Sequence, residues 1–295
     1  CVLNDASELN GGTDLHKAEV KNNTEDPWLI VGKDSLSMSG TGLGEGLLYI
    51  TYESDAHVYF ECSQLNKGYI FLDDIELHSS NKSFYLPSGN HTLTIKKTST
   101  TQKSSIYGLS FTAMSKNSDI ESMIEANSDV DVTITNDSIC PWIILGTDSL
   151  YNYKSINSSV SRTLAIEFTS EYITSLNYIK SDCAFYVNGE PCYNSNNYIP
   201  AGKNVIYLKS LSSSNYVAGL SIKKVCSDTD IEEMIENNSD VNIAFENDSL
   251  HPWYIVGQDS LANIKTNYNN AKTFLSIGSI LESGKSSIAL PLVVI

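Results

Sequence analysis

The sequence predicts a mainly β protein of tandem β-sandwich, jelly-roll-like repeats with one short helix at each repeat junction. Three observations carry the prediction. One block of sequence occurs three times, most of the chain between its copies alternates apolar and polar residues in short runs broken by turn formers, and helical periodicity is confined to two short stretches.

The block Asp26-Pro27-Trp28-Leu29-Ile30-Val31-Gly32-Lys33-Asp34-Ser35-Leu36 returns as Cys140-Pro141-Trp142-Ile143-Ile144-Leu145-Gly146-Thr147-Asp148-Ser149-Leu150. It appears again as His251-Pro252-Trp253-Tyr254-Ile255-Val256-Gly257-Gln258-Asp259-Ser260-Leu261. Pro141 follows Pro27 by 114 positions and Pro252 follows Pro141 by 111. Recurrence at that period marks a folding module. The layout it implies is an N-terminal linker over 1–21, repeat one over 22–115, a helix with repeat two over 116–227, and a helix with a partial repeat three over 228–295.

Ahead of copies two and three, Ser118-Asp119-Ile120-Glu121-Ser122-Met123-Ile124-Glu125 matches Thr229-Asp230-Ile231-Glu232-Glu233-Met234-Ile235-Glu236. Ser118 with Glu121, and Thr229 with Glu232, read as capping boxes that satisfy free backbone donors at a helix start. Ile120, Met123 and Ile124 fall at i, i+3, i+4, as do Ile231, Met234 and Ile235, so one face of each short helix is apolar. Asn127 and Asn238 suit the helix ends, and Val130, Val132, Ile134 and Val241, Ile243, Phe245 then alternate as a half-buried strand does.

Repeat one continues through Leu48-Ile50-Tyr52, Val58-Phe60 and Tyr69-Phe71, and repeat two through Leu164-Ile166-Phe168 and Ala184-Tyr186. Turns are expected at Asp73-Asp74 and Asn188-Gly189, then at Pro87-Ser88-Gly89 and Pro200-Ala201-Gly202 ahead of the next strand. Closing strands over 106–113 and 216–225 share Gly108-Leu109-Ser110 and Gly219-Leu220-Ser221. Repeat three ends 43 residues past Pro252 with the apolar run 288–295. Three outcomes are open for it: a longer array, completion of the module by another chain through head-to-tail strand addition, or folding of 252–295 back onto repeat two.

These strands and turns resemble the jelly-roll modules of bacterial surface proteins, which are similar to carbohydrate-binding modules and MAM-like domains. The resemblance implies a non-catalytic extracellular or cell-surface module used as an adhesin, stalk or surface-assembly element, with a glycan or a surface protein as partner. The alternatives are a carbohydrate-binding module of a secreted glycan-degrading system and, more remotely, an exported hydrolase.

Charge narrows the partners. Asp and Glu number 35 against 19 Lys and Arg, a formal −16, and Arg162 is the sole arginine. Such a chain repels phosphate backbones, which argues against nucleic acid. No run reaches the ~18 apolar residues of a membrane helix. Cys1 at the start fits a processed, lipid-anchored protein at the cell surface.

The chemistry-bearing residues have structural readings beside the functional ones. Trp28, Trp142 and Trp253 read as core anchors in preference to sugar-stacking platforms. Ser35, Ser149 and Ser260 sit in Gly-x-Asp-Ser-Leu, close to an esterase motif, but no histidine recurs beside them; the neighbouring Asp34, Asp148 and Asp259 read as turn residues accepting backbone hydrogen bonds. Cys183 and Cys192 bracket a hairpin turn and are expected to form a disulfide, as are Cys140 and Cys226 near the first and last strands of repeat two. No cofactor is required, although structural calcium at Asp73-Asp74, or at Asp129 and Asp131 with their counterparts Asp240 and Asn242, is open. Asn-x-Ser/Thr triplets at Asn22, Asn81, Asn90, Asn136, Asn157, Asn237 and Asn247 read as chance in so Asn-rich a chain.

Overall fold

The computed structural model of the chain describes residues 17–22, 27–32, 34–38, 46–77, 82–99, 101–153, 162–192, 197–210, 212, 214–240, 243–249, 251–263 and 276–279. These residues form 28 strands and two nine-residue helices. The protein is mainly β, as its alternating segments require. No helix among them is long and apolar enough to cross a membrane.

Alternation decides which face each strand of repeat one buries. Leu48, Ile50 and Tyr52 point inward from Leu47–Ser54 while Leu47, Tyr49 and Thr51 do not. That strand lies second in a five-stranded antiparallel sheet ordered Lys17–Asn22, Leu47–Ser54, Gly89–Lys97, Gly68–Leu72, Ile75–Glu76. A four-stranded sheet holds Trp28–Ile30, Leu36–Met38, Ser105–Tyr107 and Gln64–Asn66. A three-stranded sheet holds Ser110–Ala113, Val58–Glu61 and Ser83–Leu86. All three place their apolar faces in one core, represented by Ile50, Leu93 and Ile70, by Trp28 and Leu36, and by Phe60, Phe84 and Phe111. The sandwich-like character arises there.

Repeat two takes the same three sheets in the same order. Its five strands run Thr133–Thr135, Arg162–Ser170, Gly202–Ser210, Ala184–Val187, Glu190–Cys192; its four run Ile143–Ile144, Ser149–Tyr153, Ser214–Ala218, Lys180–Ser181; its three run Asn197–Ile199, Ile173–Asn177, Ser221–Cys226. Repeat three supplies the opening pairs, Ile243–Glu246 with Ser276–Ser279 and Tyr254–Val256 with Ser260–Ala262. The apolar run 288–295 and Cys1 lie outside the described residues.

The chain forms two compact units, one of residues 1–120, 135–164 and 210–216, the other of 121–134, 165–209 and 217–295. Neither coincides with a sequence repeat. The repeats mark recurrence of sequence, and the units mark where side chains pack.

Both expected hairpin turns form. Asp73 and Asp74 have φ of 46° and 68°, Asn188 and Gly189 of 50° and 90°, the left-handed pair that a two-residue turn needs between right-twisted strands. Asp73 Oδ1 accepts from the Thr92 N–H at 2.9 Å and Oδ2 lies 2.6 Å from His91 Nδ1, while His91 Nε2 donates to the Ser88 carbonyl at 3.1 Å. In repeat two Asn188 Oδ1 accepts from the Val205 N–H at 2.9 Å, its Nδ2 donates to Asn204 Oδ1 at 2.8 Å, and Asn204 Nδ2 donates to the Pro200 carbonyl at 2.9 Å. An amide pair in one repeat thus does the work of a carboxylate and imidazole in the other.

The helices correct one expectation. Helix α1 is Asn117–Glu125 and α2 is Asp228–Glu236, so Ser118 and Thr229 are inside the first turn and are not the caps. The capping box in α2 is Ser227 with Asp230, and at α1 the Lys116 N–H donates to Asp119 at 2.7 Å. A shorter acidic side chain two residues earlier reaches the cap better than the glutamates do. Glu121 and Glu125 instead accept from the N–H groups of Ile134 and Val132, each at 2.9 Å, and tie α1 to the strand after it.

Two outcomes follow for repeat one. Truncating the fully buried Trp28 to alanine is expected to cost about 3–5 kcal/mol in denaturant unfolding. His91→Ala is expected to cost about 1–2 kcal/mol, and the double variant Asp73→Asn, His91→Asn, which installs the arrangement of repeat two, to recover most of it.

Candidate functional site: the joint between successive repeats

The recurring block contains a side-chain clamp. In each copy an asparagine six residues before the tryptophan lays its amide along the tryptophan backbone, Oδ1 accepting from the Trp N–H and Nδ2 donating to the Trp carbonyl. The distances are 2.8 and 2.8 Å for Asn22 on Trp28, 2.8 and 2.8 Å for Asn136 on Trp142, and 2.8 and 3.0 Å for Asn247 on Trp253. Trp28 opens its strand and Trp142 and Trp253 precede theirs by one residue, and there a single amide, which carries both a donor and an acceptor, serves both backbone groups. The repeated signature is therefore Asn-[Asn/Asp]-[Ser/Thr]-x-x-Pro-Trp. Three of the Asn-x-Ser/Thr triplets that read as chance, at Asn22, Asn136 and Asn247, are its first residues.

The tryptophans are held inward. Trp28 and Trp142 are fully buried, Trp253 is partly buried, and Trp28 Nε1 donates to the Gly46 carbonyl at 3.2 Å. Trp28 and Trp142 therefore present no ring face for sugar stacking. The serines of the block turn to their own neighbours, with hydroxyls donating to the carboxylates of Asp34, Asp148 and Asp259 at 3.0, 3.1 and 3.2 Å. Those aspartates accept a side-chain hydroxyl where backbone donors were expected. The turn itself is closed by backbone bonds from Val31 N–H to the Ser35 carbonyl and from Leu145 N–H to the Ser149 carbonyl.

In copies two and three the clamp also meets the helix at its own junction, and the hairpin that follows it meets the repeat before. Asn136 Nδ2 donates to Asn117 Oδ1 at 3.2 Å, and Asn247 Nδ2 to Asp228 Oδ1 at 2.9 Å; Asn117 and Asp228 each open a helix. Ile144 N–H donates to Ser115 Oγ at 3.0 Å, and Ile255 N–H bonds the Cys226 sulfur, Ser115 and Cys226 being matched positions. Tyr85 of repeat one packs its ring edge-on against Tyr151 at 6.1 Å, and its counterpart Tyr198 stacks on Tyr254 at 3.6 Å. Cys140 and Ile139 enter the core of repeat one, while Tyr254, Ile255 and Leu261 pack with Ile173, Cys226 and Ile231. Each joint lies wholly inside one compact unit.

The joints explain the cysteines. None of the five described cysteines is in a disulfide, against both expected pairs. Cys140 fills the first joint and Cys226 accepts a hydrogen bond in the second, so their places near the first and last strands of repeat two put them in different joints. Cys183 precedes its strand by one residue, and Cys192 pairs across the ladder with Phe185, leaving the two offset by a register step of two residues. Burial pushes both thiols up to about 11, against the thiolate.

Two of the carboxylates open to calcium, Asp129 and Asp73, already have partners, and Asn242 lies outside the described residues. Asp129 accepts from Lys223 Nζ at 3.1 Å and from the Lys224 N–H at 3.0 Å, which holds its carboxyl below the usual range, and Asp73 faces His91. A cation at either place would compete with an ammonium or an imidazole.

Histidine 57 is the feature that sequence reasoning missed. It is 2% exposed and stands at the first joint, where its counterpart at the second is Ile173. Its Nδ1 accepts from the Ser88 N–H at 3.0 Å and Nε2 donates to Asn117 Oδ1 at 3.0 Å, which defines the neutral ring. Burial lowers its pKa below that of a free histidine. The strand pattern around it, Ser54-Asp55-Ala56-His57-Val58 against Ser170-Glu171-Tyr172-Ile173-Thr174, was the available signal, since an inward position occupied by isoleucine in one repeat is polar in the other.

The clamp predicts two measurements. Asn136→Ala leaves both Trp142 backbone groups and Asn117 short of partners and is expected to cost about 2–4 kcal/mol. In a glycosylating host, mass mapping is expected to find sugar at the exposed Asn90 and Asn237 and none at Asn22, Asn136 or Asn247, whose amides are engaged. No protein-family model, no curated protein and no solved structure matches the chain.

Proposed function

We propose that the chain is a non-catalytic extracellular or cell-surface protein whose tandem jelly-roll-like repeats serve as an adhesin, stalk or surface-assembly module. The observation that supports it is the joint, built twice from matched residues: an Asn clamp tied to the opening residue of a helix, a hydroxyl or thiol receiving the next hairpin, and a tyrosine against the next ring. Energy placed in reproducible junctions suits a protein that holds something at a fixed distance better than one that moves about a reacting bond. The repeated serines lend further support, because each hydroxyl is directed at its adjacent aspartate. Self-association through repeat three belongs to the same proposal.

One feature favours the carbohydrate-binding alternative. On the half-buried side of the five-stranded sheets, Tyr49 and Phe71 flank Thr94 in register, and Tyr186 lies opposite Tyr207, an aromatic row on which a sugar ring could stack. Lys209 Nζ already stands 4.1 Å over the Tyr186 ring, which argues against that row being free.

Protease shaving of intact source cells is the direct test: peptides of this chain in the supernatant are expected, and their retention inside intact cells defeats the proposal. An ester- or glycoside-cleaving activity that disappears when Ser35, Ser149 and Ser260 become alanine would establish the hydrolase instead. Binding to a glycan array that is lost in Tyr186→Ala, Tyr207→Ala would establish the carbohydrate reading. Chelation is expected to leave the melting temperature unchanged unless structural calcium is present, in which case it falls.

A further inference from the structure

The two joints share a plan and differ at its centre. At the second, the inward position is Ile173, which packs with Cys226, Ile231 and Tyr254. At the first it is His57, and the groups arranged around that ring are set for a neutral imidazole. The Ser88 N–H can only donate, so Nδ1 must be unprotonated to receive it. Asn136 Nδ2 lies 2.9 Å from Nε2 and spends its hydrogens on Asn117 Oδ1 and the Trp142 carbonyl. A proton on Nδ1 would remove the Ser88 bond and set a cation against two donor groups, one of which belongs to the clamp of repeat two.

The surroundings offer that charge no relief. The charged and titratable groups on the elements packed against His57 are the Asp55–Lys116 pair, Asp119 beside Lys116, Asp137 beside Asn136, and His91 with Asp73 beyond Ser88. Asp137 accepts from the N–H groups of Ile139 and Cys140 at 3.0 and 2.8 Å. Among the described residues no carboxylate bonds to the His57 ring. The second joint has a histidine of its own, His251, but its Nδ1 faces the Asp248 carboxylate at 4.0 Å, an acceptor where the His57 ring has donors.

We propose that the joint between repeats one and two is an acid-released latch, closed while His57 is neutral and opened by its protonation, and that the joint between repeats two and three lacks this response. Burial disfavours the charged ring, so the closed joint binds the proton less well than the open one. Stability of the closed joint is then complete above the ordinary histidine range and is lost as pH falls below about 6.5. One excluded proton changes the ratio of open to closed by up to roughly tenfold per pH unit in that window.

Hydrogen exchange of the full chain followed by mass spectrometry, corrected for the intrinsic pH dependence of exchange, tests the latch. Between pH 7.5 and 5.0 the segment 136–153 is expected to lose protection by roughly tenfold to thirtyfold, with 247–263 changing much less. His57→Ile, which installs the residue of the second joint, is expected to abolish that loss. The proposal is overturned if wild type keeps its protection at pH 5.0, if both segments open alike, or if a folded His57→Ile protein opens as wild type does. Should that variant not fold, an NMR titration of the wild-type ring decides: His57 must stay neutral until 136–153 opens, and protonation in the ordinary histidine range with the segment still protected refutes the latch.

Discussion

The structure depends on one local constraint, the need to satisfy the backbone of the tryptophan at the start of each hairpin. That tryptophan either opens the first strand of its hairpin or precedes it by one residue, and its N–H and carbonyl are served by a side chain. A primary amide six residues upstream offers both donor and acceptor. With the backbone held, the Trp28 and Trp142 indoles are carried into the interior and the following apolar residues are set against the sheets. An unpaired backbone group in such a place costs as much as a lost hydrogen bond, so the clamp is part of the fold and not an ornament of it.

The same amide makes the repeats cohere. Because Asn136 and Asn247 have a hydrogen left over, the clamp reaches the first helical residue of its own junction, Asn117 or Asp228, and so positions the hairpin against the repeat that came before. Ser115 and Cys226 then receive a backbone N–H, and Tyr85 and Tyr198 receive a ring. Compact units that do not follow sequence repeats are the consequence: the hairpin of repeat two belongs by packing with repeat one. Matched positions tolerate changes of chemistry provided the bonding pattern survives, as serine and cysteine do as acceptors and as Asp73 with His91 and Asn188 with Asn204 do at the turns. The exception is His57 and Ile173, where the change replaces a titratable ring by an inert one and makes two otherwise equivalent joints respond differently to protons.

Much of the architecture was legible from the chain because its signals are local. Period-2 alternation names the buried face of Leu47–Ser54, and Asp73-Asp74 and Asn188-Gly189 name turns that need left-handed backbone. The block containing Trp28, Trp142 and Trp253 announces the repeat. Misreadings arose where two local signals competed: Ser118 and Glu121 have cap spacing, but Asp119 and Asp230 sit closer to the true helix starts. Asn22, Asn136 and Asn247 looked accidental because asparagine is abundant, although their constant distance from tryptophan was in view.

The sequence by itself determined that this is a repeated, mainly β, acidic chain with short helices at the junctions, since periodicity, turn chemistry and recurrence act over a few residues. Tertiary structure alone decided the joints and the thiols. Cys140 and Cys226 lie in one repeat by sequence yet serve successive joints, and Cys183 and Cys192 bracket a turn yet miss each other in register. His57 meets Ser88, Asn117 and Asn136 across separations of 31, 60 and 79 residues. Whether a buried imidazole finds a carboxylate or a second donor is set by which strands and loops converge on it, and that convergence is a property of the folded chain.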